Sequence, residues 1–227
     1  VPEIDSLVLR KGISFLEGTE REVQTIDTLL RNKQIPVALM SGMAGTEESF
    51  KQLSGQSITL LHVATHGFYS PLTGHYTAQR SFEEQALSRS GLFLSGAAAS
   101  LNMKKIPEDI EDGILTAKEL SKLDLSNLNL AILSACQTGL GEIVGDGVFG
   151  LQRGFKKAGA QTLLMSLWKV DDTATQLLMA EFYKNLVSGQ NKRAAFLNAQ
   201  KYLRSYQNGI YDKPEYWAAF IMLDGIH

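Results

Sequence analysis

The sequence is short of cysteine, of charge of one sign and of long apolar runs, and each shortage removes a class of protein. A single cysteine, Cys136, in 227 residues allows neither an internal disulfide nor a multi-cysteine metal centre. It suits a reducing compartment, which predicts a cytoplasmic location. The net charge of −2 lacks the basic excess of a nucleic-acid surface, so no direct nucleic-acid partner is expected. No apolar stretch approaches the ~18–20 residues that span a bilayer. Val1-Pro2-Glu3-Ile4-Asp5 has neither the basic start nor the apolar run of a signal peptide, so no membrane association is expected either. A chain that starts at Val1 reads as a piece of something longer.

What is present is an ordinary globular composition, 44% hydrophobic with 20 glycines and 5 prolines, ample for a core. Thr19-Glu20-Arg21-Glu22 reads as a capping box, followed by Val23, Ile26 and Leu30 at helical spacing, so a helix is predicted from about Glu20 to Leu30. Pro36–Met40 reads as a strand, Thr46 as the cap of a second helix, and Ile58–Ala64 as a second strand ending at Thr65-His66-Gly67. Within the irregular stretch from Phe68 to Gly113, Ser90–Ser95 reads as a short strand. Thr116 and Glu119 form another capping box, for a helix over Leu115–Leu123. Leu128–Ala135 is almost continuously apolar, as a strand buried on both faces would be. After the glycines at 139, 141, 145 and 147, a helix is predicted over Val148–Ala158. A strand over Gln161–Trp168, a helix opened by Asp171-Asp172, a helix over Ala194–Tyr206 and a last strand over Trp217–Leu223 follow. Alternating strands and helices imply one α/β domain over residues 1–227, with a mostly parallel sheet covered by helices on both faces.

In open parallel sheets, ligands bind beyond the carboxyl ends of the strands. His66 follows the second predicted strand and Cys136 the third. If these strands are neighbours, an imidazole and a thiol meet there, as thiolate chemistry requires. Each residue alone also reads blandly: a cysteine ending an apolar strand as a small buried hydrophobe, a histidine after a strand as structural. Gly67 and Cys136 could each offer an amide to a substrate oxyanion, although Gly67 alone reads more simply as a turn. His62 and His66 have the i, i+4 spacing of a helical zinc motif, but on a strand that spacing is ~13 Å, too far to share a metal. Gly139-Leu-Gly141 lacks the third glycine of a dinucleotide fingerprint.

Leu61-His-Val-Ala-Thr-His66-Gly67 and Leu133-Ser-Ala-Cys136-Gln-Thr-Gly139 strongly resemble the two catalytic segments of CHAT domains, caspase- and separase-related modules often fused to tetratricopeptide repeats. The similarity continues through Gly145-Asp-Gly-Val148, Ala158-Gly-Ala160, Ser166-Leu-Trp-Lys-Val-Asp-Asp172 and Pro214 to Phe220. The resemblance implies a caspase–haemoglobinase-like three-layer α/β sandwich. It implies a Cys–His dyad of Cys136 and His66 that hydrolyses peptide bonds in a protein or peptide substrate, with the Gly67 and Cys136 amides holding the oxyanion. It implies no metal, no other cofactor and no third catalytic acid. Ser134 is expected on the face of Cys136 and, with Ser166, Lys169 and Asp172 near the next strand end, to line the pocket for the P1 side chain. The Gln of caspases before Ala-Cys is replaced by Ser134, and the acid after the separase Trp by Lys169, so neither Asp nor Arg preference carries over. A regulatory repeat domain outside this chain is the expected partner, acting through the long connections Phe68–Gly113 and Gln137–Gly147. The alternative is a catalytically silent interaction module of the same fold; a redox-sensing or nucleotide-binding domain is a third reading.

Overall fold

The computed structural model describes residues 17–70, 82–102, 111–134, 141–144, 147–168 and 171–225. Its main sheet has the order β1 (Leu60–Ala64), β5 (Leu130–Ser134), β8 (Thr162–Ser166), β9 (Phe220–Asp224). The first three strands run parallel and β9 returns antiparallel to β8. This is a mostly parallel sheet in a mixed α/β fold, as the alternation of strands and helices predicts. β5 and β8 are buried at every residue, which explains their unbroken apolar sequences.

Side-chain alternation along these strands feeds two cores. Ala131, Leu133, Leu163 and Met165 face one layer, built on α2 (Glu47–Lys51), α5 (Ala117–Leu120) and α6 (Leu151–Ala158). Leu130, Ile132 and Leu164 face the other, built on α1 (Glu17–Asn32), α7 (Asp172–Val187) and α8 (Lys192–Ser205). The caps carry out their sequence roles. Thr116 and Glu119 form a reciprocal capping box on α5, and Asp171 accepts the Ala174 amide at 2.9 Å to start α7.

A second, antiparallel sheet is made of β2 (His66–Tyr69), β3 (Ser90–Phe93) and β4 (Ile114–Thr116), in that order. The chain passes from β1 to β2 across Thr65 alone, so it changes sheets at the His66 motif. Thr65 Oγ1 donates to the carbonyl of Phe93, the residue opposite His66, and Phe68 stacks on Phe93 with centroids 4.9 Å apart. Gly91 is required in β3: a Cβ there would stand 2.4 Å from the Leu115 carbonyl oxygen and 2.7 Å from the Phe68 ring.

Several predicted elements differ. Pro36–Met40 forms no strand; it runs exposed, with Leu39 and Met40 at 41% and 47%, and no ladder partner for it lies among the described residues. The Thr19–Glu22 capping box does not form, because α1 already begins at Glu17 and Glu22 lies in its buried face. The predicted Val148–Ala158 helix starts only at Leu151. Val148 belongs to a hairpin of β6 (Gly141–Val144) and β7 (Gly147–Gly150), which turns part of the expected loop after Cys136 into antiparallel pairing. Phe68–Gly113 likewise contains β3, α3 (Phe82–Leu87) and α4 (Ala97–Asn102). Trp217 ends a short helix, α9 (Pro214–Trp217), and the last strand begins at Phe220.

Candidate active site

The carboxyl ends of β1 and β5 meet side by side. Their parallel register sets Leu60 opposite Leu130 and ends with Ala64 opposite Ser134. In sequence His66 follows Ala64 by two residues and Cys136 follows Ser134 by two, and the two strands end at the same level. Cys136 and Lys169 lie outside the described residues. His66 opens β2 and is half-buried, its backbone paired with Phe93, and Gly67 pairs with Leu92. The turn into the second sheet thus fixes where the imidazole stands relative to the end of β1.

The expected P1 lining separates. Ser134 is 8% exposed, and its hydroxyl donates to Glu22 Oε2 at 2.8 Å. It points into the layer under α1. Ser166 is fully buried at the end of β8, opposite Phe220. Asp172 is exposed as the first residue of α7 and lies against Gly18 of α1, close enough that a Cβ on Gly18 would meet the Asp172 Cβ at 2.7 Å. The reason is α1 itself, which packs over the face of the sheet that was expected to hold a substrate side chain.

That packing encloses a polar cluster that sequence reasoning missed. Glu22 Oε1 lies 2.9 Å from His62 Nε2, and His62 Nδ1 lies 3.1 Å from the Tyr183 hydroxyl. The Nε2 to Oε1 approach is short but off the line of a hydrogen bond, so these two buried atoms meet as an electrostatic contact. Burial, with the Glu22 carboxylate nearby, pushes the Tyr183 hydroxyl well above its ordinary range, so it stays a protonated donor. The available signal was Glu22 itself, a carboxylate in step with the apolar face of Val23, Ile26 and Leu30.

A second charged cluster lies beneath the small sheet. The carboxylates of Glu47, Glu111 and Glu119 approach within 4.8 Å of one another, and the Lys51 ammonium sits among them at 2.7, 2.8 and 3.3 Å. Glu47 also accepts the Gly113 amide at 2.9 Å, so the cluster fastens α2 to the segment entering β4.

A mostly parallel sheet between two helical layers, with a histidine segment and a cysteine segment leaving neighbouring strands, defines a caspase-like α/β protein. The chain belongs to the CHAT domain family, whose model matches residues 5–225. It is also similar to tetratricopeptide repeat protein 28. The mouse protein is 34% identical over 110 residues and the human protein 32% over 114, about half of this chain in each case. Each match spans 4% of the relative's own length.

Proposed function

We propose that this chain is a cysteine endopeptidase domain in which His66 is the base and Cys136 the nucleophile. The observation that carries the reading is the β1–β5 register, which ends with Ala64 opposite Ser134, two residues before each member of the dyad. The Cys136 thiol gives its proton to His66, and its sulfur bonds to the scissile carbonyl carbon. The carbonyl oxygen takes the electron pair and is held by the Gly67 and Cys136 amides. Collapse breaks the C–N bond, the amine leaves with the proton from His66, and water then hydrolyses the thioester. Family membership supports this chemistry, because CHAT domains are related to caspases.

Ser134 is given up as a substrate contact, since its hydroxyl is committed to Glu22. Lys169 remains the P1 determinant of the proposal. A repeat region elsewhere in a longer protein is the proposed regulator, supported by the repeat proteins that share this domain, and the enzyme would work in the reducing cytoplasm. A silent scaffold of the same fold is the second reading, favoured by relatives whose names refer to repeats and to no reaction. The two are separated by sequencing new N-termini in a proteome treated with the protein and with Cys136→Ala. Cleavages that appear only with the intact cysteine support the peptidase; identical profiles favour the scaffold.

A further inference from the structure

We infer that Glu22 is a positioning residue for both dyad-bearing strands, acting through Ser134 and His62; this rests on the peptidase reading above. Glu22 is 3% exposed and sits in α1 against the sheet, where an apolar side chain would pack without the desolvation that a carboxylate suffers. It is not a cap, and its buried oxygens reach two neighbouring strands.

One reach is to the end of β5. The β5–β8 ladder stops at Leu133 opposite Met165, so Ser134 lies past the pairing that holds that side of the strand. The bond from its hydroxyl to Glu22 takes over there. A hydroxyl bonded to a carboxylate is short, directional and stronger than a neutral pair, so it sets how β5 is seated two residues before Cys136. The other reach is to His62 in β1, four residues before His66, and His62 is braced from behind by Tyr183 of α7. Ser134 is buried and the His62 side chain is 8% exposed, both on the face covered by α1 and α7 and committed to Glu22 and Tyr183. Their effect on catalysis passes through the backbone of the two strands. Dyad chemistry depends on the spacing of thiol and imidazole, and a misplacement of ~1 Å is enough to slow a reaction ~100-fold.

The test uses the full-length protein that contains this domain, with a peptide taken from its cleavage sites. Glu22→Gln keeps the shape and removes the charge; Ser134→Ala removes one hydroxyl. Both are expected to lower kcat by roughly 10- to 100-fold, with KM within about twofold of the parent. Alkylation of Cys136 by iodoacetamide, followed on its own tryptic peptide, slows in parallel. Thermal melting and circular dichroism report the fold; should Glu22→Gln fold poorly, Ser134→Ala decides alone. A variant that melts earlier but keeps kcat and the alkylation rate makes the cluster merely structural and overturns the inference, leaving the peptidase standing. A parent protein that cleaves nothing beyond Cys136→Ala overturns the peptidase reading, and the inference falls with it.

Discussion

The fully buried Glu47 carboxylate meets the Lys51 ammonium at 2.7 Å, one turn along α2, and shares that cation with Glu111 and Glu119. Three acids on one lysine leave an excess of negative charge, and it falls on the group with least water. Burial pushes the Glu47 carboxyl up to about 7, against the pull of Lys51. Glu119 is also raised by burial, but the Thr116 hydroxyl and amide, with Lys51, outweigh it and hold Glu119 below its usual range. Burial pulls Lys51 down, yet its three partners more than compensate and keep it charged.

The pH dependence of stability follows. A carboxyl raised on folding binds its proton more tightly in the native state. Its contribution is therefore full below the ordinary value of 4.5 and is lost as pH rises through about 7. Glu47→Gln carries no such titration. Urea midpoints measured from pH 4 to 8 should show the parent losing stability relative to Glu47→Gln across that window, on the order of 1–3 kcal/mol. Parallel profiles would show that Glu47 titrates normally.

The proposed dyad is tested by removal. Cys136→Ala and His66→Ala are each expected to lower peptide turnover by at least about 1,000-fold while leaving circular dichroism unchanged. Turnover near the parent rate in either variant removes that residue from the mechanism.

Substrate preference should follow Lys169. Reversing its charge with Lys169→Asp is expected to change which P1 side chains are cleaved, read from a profile of new N-termini. An unchanged profile takes Lys169 out of the pocket.

Gly91 has no room for a side chain. Gly91→Ala forces a Cβ into the Leu115 carbonyl and the Phe68 ring in the middle strand of the small sheet. It is expected to destabilise by about 1–3 kcal/mol and to lower Tm by roughly 3–10 °C. A melting temperature equal to the parent's would mean that β3 shifts without penalty.

Much of the fold was legible because β5 and β8 are apolar on both faces and the Thr116 and Asp171 caps are local signals, readable without knowledge of the rest of the chain. Pro36–Met40 misled because apolar composition implies burial only where a ladder partner and a covering layer exist. The β6–β7 hairpin was missed because its glycines read equally as loop. The dyad segments were legible as motifs, and their adjacency follows from the β1–β5 register. The Glu22 cluster was not legible: a Thr-x-x-Glu spacing at a helix start fits a cap locally. Only tertiary packing brings the carboxylate to Ser134, 112 residues away. The pocket expectation for Ser134 failed for the same reason, since strand alternation gives a face but not what covers it.

The single-residue passage between sheets at Thr65 gives the proposed dyad two foundations. Cys136 follows a strand built into the large core, whereas His66 belongs to a small sheet that joins that core through Leu92 and Leu115 but keeps a cluster of its own in Phe68, Phe93, Ala97 and Ile114. Inactivating changes should therefore sort into two families. Lesions in the large core would unseat the proposed nucleophile and the whole domain together. Lesions around Phe93 or Gly91 would lower Tm only in part and detune the proposed base first, producing proteins that are still folded but inert.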